Sequence, residues 1–310
     1  MELETIDCPL CGDVGTRPYH EENGYRAVAC RGCGLVFVRE RPSEAAMKHL
    51  YEGQETKIDL GRQIRNVEGT TAEARSSLAL VARHVPSGGR LLEIGCAAGY
   101  FLREAARRGL SPVGVDITRQ FVDFARDVLG VDAREGTLAS VELVPRSFDV
   151  VYHRNVLSHL AYPVAAFERM RELLVPGGVV VFETGNVAEL PGERWAGTRD
   201  LDLPDHLFHF GQAQIERLLD RTGFDVVEVQ RFALLLHDPW ARAVSRRLAR
   251  APRPTAPDRA PFEAPRRAPR PRFGRRIGAA FEVAVQYGLG AIVPATGRRC
   301  TLRFVARART

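Results

Sequence analysis

From residue 90 the chain alternates short apolar runs with amphipathic stretches. RLLEI (90–94), PVGVD (112–116), FDVVYH (148–153), GGVVVFET (177–184), FDVVEVQRF (224–232) and CTLRFVARA (300–308) read as strands, with a shorter strand near 132–135. Apolar positions three and four apart mark helices over 99–109, 118–129, 163–174 and 212–222, and another over IGAAFEVAVQYGL (277–289). Strands without polar alternation need cover on both faces, so the pattern predicts an α/β, doubly wound, mostly parallel seven-stranded sheet. The last strand follows a long insertion and is expected beside 224–232, antiparallel to the rest. Before the sheet, SEAAMKHLY and GRQIRNVEGTTAEARSSLALVARHV read as connecting helices. Between Ala251 and Arg272 seven prolines and no apolar period indicate an extended or disordered segment. The implied units are 1–40, a helical connector 41–85, a core 86–235, a basic Arg/Pro-rich insertion 236–276, and a last helix and strand 277–310.

Strand 90–94 is left through Glu93 and the loop GCAAG, with Gly95 and Gly99 four positions apart, directly before a helix. Glycines at this junction let a ligand lie against the backbone where the first helical N–H groups face it. The pattern is not a dinucleotide fingerprint, because Ala97 takes the middle glycine's place, and it has no P-loop lysine. What remains is E-x-G-x-x-x-G with Asp116 ending the next strand. An acid there can accept hydrogen bonds from two ribose hydroxyls.

This loop, Asp116, REGTLASVELVPRSFDVVYHRNVLSHL and LLVPGGVVVFET together resemble the class I S-adenosylmethionine-dependent methyltransferases, over about residues 75–235. The resemblance implies a Rossmann-like methyltransferase fold. It also implies cofactor contacts from Glu93, Gly95, Cys96, Ala97, Gly99, Asp116, Ile117, Thr137, Leu138, His153 and Asn155. Glu93 would orient the loop near the cofactor's ammonium. Thr137 departs from the pattern, standing where an aspartate often meets the adenine amino group; the Leu138 N–H remains available. Ser158 and Tyr162 likewise replace acids, while His159 keeps the family histidine.

Six cysteines change the reading of the N-terminus. Cys8 and Cys11 (CPLC) and Cys30 and Cys33 (CRGC) form two CxxCG knuckles eighteen residues apart. Four thiolates at this spacing suit tetrahedral Zn²⁺ with no open position, so the zinc is expected to be structural. A redox disulfide is the alternative. Cys96 and Cys300 read as buried small residues.

A ribbon ahead of this domain resembles bacterial methyltransferases of sugar, glycan and secondary-metabolite pathways, including deoxysugar C-methyltransferases. Those carry a Glu-His pair and aromatics after the fifth strand. The matching stretch is LPDHLFHFG, giving Asp205, His206 and His209 as catalytic candidates, with His159 as a supporting one. A histidine is a suitable base for an acceptor hydroxyl. The chain lacks the further large C-terminal domain of the sugar C-methyltransferases, which favours oxygen over carbon. The expected activity is O-methylation of a sugar, oligosaccharide or glycosylated metabolite; the alternatives are a sugar C-methyltransferase and a zinc-ribbon RNA methyltransferase. No acidic cluster suggests a catalytic Mg²⁺.

Charge bears on partners. The net charge is +6, but residues 231–310 hold 18 arginines against four acids, +14, leaving −8 on the first 230. The basic part could grip phosphates or an anionic membrane through LLLHDPWARAVSRRLAR. The ribbon, however, is not rich in Lys or Arg, and the Asn/Asp-Pro-Pro-aromatic motif of many base methylators is absent, so nucleic acid is not the expected partner. The N-terminus lacks a signal-peptide pattern and no apolar run reaches the roughly 20 residues of a membrane span, so a cytoplasmic protein is expected. The sequence fixes neither the acceptor nor an oligomeric state.

Overall fold

The computed structural model describes residues 2–47, 60–186, 188–189, 201–233, 273–292 and 300–310. The Arg/Pro-rich stretch Ala251–Arg272 and the basic segment 234–250 lie outside the described residues.

The N-terminal unit pairs β1 (Leu3–Thr5) with β5 (Glu40–Pro42), and builds an antiparallel ladder from β2 (Thr16–Glu22), β3 (Tyr25–Cys30) and β4 (Val36–Val38). Two helices follow, α1 (Leu60–Arg65) and α2 (Val67–Val81). The pattern suggested one continuous helix here, but the backbone breaks at Asn66, which stands at φ −102°, ψ 24° ahead of α2.

The core then alternates as expected: β6 (Arg90–Ile94), α3 (Tyr100–Arg107), β7 (Ser111–Asp116), α4 (Arg119–Asp127), β8 (Asp132–Glu135), β9 (Phe148–Arg154), α5 (Pro163–Leu173) and β10 (Leu174–Gly185). After β11 (Phe208–His209) come α6 (Gln212–Arg221), β12 (Phe224–Ala233), α7 (Phe273–Val283) and β13 (Cys300–Ala308). The seven-stranded sheet runs β12-β13-β10-β9-β6-β7-β8. β6 to β10 pair in parallel, while β13 is antiparallel to both its neighbours. The last strand therefore lies beside β12, and also inserts between it and β10. Burial explains the order: β13 is buried along nearly its whole length, whereas β12 is largely exposed or half-buried and takes the edge.

Leu78, Val81, Leu102 and Ala105 of α2 and α3 cover one face, against Leu91, Val150, Val181 and Val305. Phe167 and Met170 of α5 with Ile215, Leu218 and Leu219 of α6 cover the other, against Leu92, Val151, Val180 and Phe304. The second core does not stop at the sheet domain. Cys8, Leu10, Cys30, Leu35 and Phe37 of the N-terminal unit belong to it. Burying Leu35 and Phe37 contributes about 1.5–3 kcal/mol each, so the small unit is stabilised by docking. Among the described residues no helix is long and apolar enough to cross a membrane.

Candidate active site

The loop after β6 is held from three sides. Gly95 N and Cys96 N donate to Val115 O at 2.8 and 3.2 Å, Ala97 N donates to Asp116 Oδ2 at 2.8 Å, and Ala98 N to Gln63 Oε1 at 3.1 Å. Gly95 and Gly99 take φ +70° and +75°, and Ala97 joins them at +46°. Asp116 also accepts from Thr118 N at 2.9 Å through Oδ1. Each of its oxygens thus keeps one lone pair beyond the loop bonds. Burial pushes the Asp116 carboxyl up, against those N–H bonds.

Glu93 is nearly buried, and its Oε2 has no hydrogen-bond partner. Burial first, then the charge of Asp116, push its carboxyl well above the usual range, with Arg154 opposing. Two buried acids at the strand ends, one with an unmet oxygen, form a site suited to a cationic ligand carrying hydroxyls. S-adenosylmethionine, with its sulfonium, ammonium and ribose, matches that chemistry.

Other candidates separate by burial. Ile117 and Thr137 are half-buried and Asn155 is exposed at φ +53°. Leu138 belongs to the apolar core, and the Cys96 side chain packs into the other core, leaving their backbones to serve a ligand. The side chain of His153 is a correction. It is wholly buried, stacked on Phe182 at 4.8 Å and edge-on to Phe167, with burial holding it down at about 3. It is a core residue on the face opposite Tyr152 and Arg154.

A cleft of about 330 Å³ lies at the carboxyl ends of β9 and β10, bounded by Asn66, Glu73, Arg154, Glu183 and Tyr287. Glu183 accepts from Arg154 Nε (3.1 Å), Arg303 Nη2 (2.8 Å) and Tyr287 Oη (2.9 Å), and Arg154 Nη1 reaches Glu73 at 2.6 Å. Burial opposes ionisation of Glu183, but Arg154 and Arg303 hold its carboxyl below the usual range. Sequence reasoning missed this network. One signal was available: Glu183 is a third acid near a strand end, like Glu93 and Asp116.

Gly95 packs against Val156, and the single 3₁₀ turn Leu157–His159 follows directly in the chain. His159 Nδ1 lies 2.9 Å from Asp205 O and 3.3 Å from Asp205 Oδ1. His206 meets His159 edge-on at 4.6 Å between ring centres, with its Nδ1 3.1 Å from Leu201 O. A carbonyl only accepts, so both Nδ1 atoms carry the hydrogen, and His206 keeps its basic lone pair on Nε2. Burial, then the neighbouring His159, hold the His206 imidazole below its usual value. The structure thus brings together His159, Asp205 and His206. His209 is corrected to a supporting position: it is buried, paired in β11 with Val36, and held at about 3 by burial. It backs His206 at 5.9 Å and stays neutral.

The four N-terminal sulfurs converge. Cys8 and Cys33 Sγ are 3.4 Å apart, Cys11 and Cys30 Sγ 3.5 Å, and all four lie within 4.8 Å of one another. A zinc tetrahedron with bonds of about 2.3 Å has sulfur–sulfur edges of about 3.8 Å, whereas a disulfide needs about 2.05 Å. Gly12 and Gly34, at φ +72° and +75°, turn each knuckle. The donor set fits Zn²⁺. Purified protein is expected to hold one zinc per chain by plasma mass spectrometry, and Cys30→Ser to lose most of it with a lower Tm. Metal-free, fully reduced wild type would remove the assignment.

A methyltransferase domain family model matches residues 65–229, just over half of the chain. The ubiquinone biosynthesis O-methyltransferase of Cereibacter sphaeroides is 32% identical over 161 residues, 46% of this chain and 62% of that protein. The tRNA U34 carboxymethyltransferase of Cronobacter sakazakii is 31% identical over 163 residues, 48% of this chain and 49% of that protein. The chain therefore spans between about half and three fifths of the length of these curated relatives. Phosphoethanolamine N-methyltransferase 2 of Haemonchus contortus, solved in complex with S-adenosyl-L-methionine, shares the fold at TM-score 0.51 and 18% identity, over 95% of this chain and 71% of that one. With the sheet order, the glycine loop and the paired acids already in place, the chain belongs to the methyltransferase domain family.

Proposed function

We propose that the protein methylates a hydroxyl oxygen of a sugar, oligosaccharide or glycosylated metabolite. The observation that carries this reading is the His159–Asp205–His206 cluster at the 3₁₀ turn after Val156, with His206 Nδ1 tied to Leu201 O. Glu93, Asp116 and the loop 95–99 would hold S-adenosylmethionine, which supplies an electrophilic methyl on a sulfonium. A neutral hydroxyl that takes that methyl must shed its proton, and His206 Nε2 receives it. Asp205 orients His159 through Nδ1, and His159 in turn packs edge-on against His206. Polar groups in this cluster suit an acceptor rich in hydroxyls. The name of the Cereibacter relative adds support for oxygen.

The test is an acceptor panel with methyl-labelled cofactor: free sugars, glycosides, oligosaccharides, catechols and bulk tRNA. Mass spectrometry and NMR would locate the new group. An O–CH₃ on a sugar is the expected product. Transfer to tRNA alone, the outcome the Cronobacter relative's name would favour, sinks the reading, and so does a new C–CH₃ bond.

Cofactor binding itself is expected to be linked to protons. The raised Glu93 carboxyl must ionise to face a cation, so binding should release protons, and affinity should fall as pH drops through its raised value. Calorimetry in buffers of different ionisation enthalpy reads this directly; buffer-independent heats would mean Glu93 does not meet the cation. Asp116→Ala removes both the ribose acceptor and the anchor of Ala97 N. It should weaken binding by about 2–3 kcal/mol. Unchanged affinity would take Asp116 out of the site.

A further inference from the structure

We propose that the four-cysteine unit is a wall of the acceptor site and that Arg41 is its positioning residue. The inference rests on the reading of residues 201–210 as the acceptor side. That segment is held largely by the N-terminal unit. β11 pairs with β4, Phe208 opposite Phe37 and His209 opposite Val36, and Val38 N donates to Leu207 O at 2.9 Å. Asn23 Nδ2 donates to Leu203 O at 2.8 Å, and Leu201 N donates to Glu22 Oε2 at 2.7 Å. Leu201 and Leu203 share a small core with Ala27, Ala29, Val36 and Val38. Leu203 and Leu207, on either side of Asp205 and His206, are thus bonded to the cysteine unit, and Leu207 N also donates to Ser158 O at 2.8 Å, joining the unit to the turn that carries His159.

Arg41 ties three pieces at one point. Its guanidinium is fully buried, 5.4 Å from both the Tyr162 and the Phe208 ring centres, and Nε donates to Glu4 Oε1 at 2.8 Å. Tyr162 lies three residues after His159, Phe208 two after His206, and Tyr162 Oη closes the set by donating to Glu4 Oε2 at 3.0 Å. A buried cation met by one carboxylate and two ring faces is costly to displace and has one favourable seat. It therefore fixes the spacing between the turn carrying His159 and the strand after His206. The metal end is anchored separately. Gln214 Nε2 donates to Cys33 O at 2.7 Å, while its Oε1 accepts from Gly211 N at 3.0 Å, and Arg221 Nη1 donates to Leu10 O at 3.1 Å. The cofactor loop, by contrast, is bonded to Val115, Asp116 and Gln63. Loss of metal should loosen one side of the active site and spare the other.

The test compares metal-loaded and chelated full-length protein by hydrogen–deuterium exchange and by S-adenosylmethionine calorimetry. Residues 157–162 and 201–210 are expected to lose protection at least about tenfold on metal loss, residues 90–99 and 111–116 to keep it, and cofactor affinity to stay within about threefold. Arg41→Met should reproduce the loss at 201–210 with one metal still bound per chain, and Arg41→Lys should recover part of it. Should Arg41→Met not fold, Gln214→Ala removes the Cys33 tether and should raise exchange at 201–210 more mildly. Unchanged protection at 201–210 after chelation overturns the proposal. So does cofactor affinity that falls in step with it. No acceptor enters these measurements, so their failure is distinct from failure of the acceptor panel.

Discussion

His206→Ala is expected to lower turnover by two or more orders of magnitude, with S-adenosylmethionine affinity within about threefold of wild type. Its ring belongs to the segment before α6, while the loops proposed to hold the cofactor follow β6 and β7. The substitution should therefore remove proton acceptance and leave the cofactor seat. The pH profile carries the sharper signature. The base acts when neutral, so kcat/KM falls as pH drops through the His206 value. Burial and His159 hold that value below the ordinary histidine range near 6.5, so the limb should lie on the acid side of it and vanish in the variant. His159→Ala should cost less, because His159 is oriented by Asp205 and touches His206 through its ring. His209→Ala should act mainly on stability, since the ring is buried behind His206. Full turnover in His206→Ala together with its loss in His159→Ala would move the base to the turn after β9.

The parts legible from sequence were those set by local pattern. Apolar runs with Glu93 and Asp116 at their ends give the parallel strands, and glycines four apart give the loop. Paired CxxCG knuckles give four converging thiolates. Misreadings came where tertiary neighbours decide. His153 follows from the two-residue period of a strand: Leu92, Ile94 and Val151 mark the helix-covered face it shares, so alternation alone could have placed it in the core. His209 could not be placed that way. It is buried because β4 of the N-terminal unit pairs with it, a contact made across more than 170 residues of chain. The Glu183–Arg303 pair likewise joins positions 120 residues apart. Nothing in local spacing announces such partners. The same reason hides the union of the cysteine unit with the main core, which makes a small N-terminal appendage part of the packing of the sheet domain.

Gly95→Val should abolish detectable S-adenosylmethionine binding, a loss of at least about a hundredfold, while the chain keeps its helix and strand content by circular dichroism. Two separate effects act at this position. The backbone sits at φ +70°, where an L side chain costs about 1–2 kcal/mol. A Cβ there would also lie 2.5 Å from Val156 Cγ2, well inside contact distance. Val156 is β-branched and stiff, so relief would come from moving the turn Leu157–His159 rather than from a rotamer change. A double variant separates the damage. Gly95→Ala alone should lower both Tm and affinity. Adding Val156→Ala should return much of the Tm by opening space, yet leave affinity low, because the left-handed backbone and the ligand's approach to it are still compromised. Recovery of both would mean the glycine serves only packing against Val156. Normal binding by Gly95→Val would remove this loop from the cofactor site altogether.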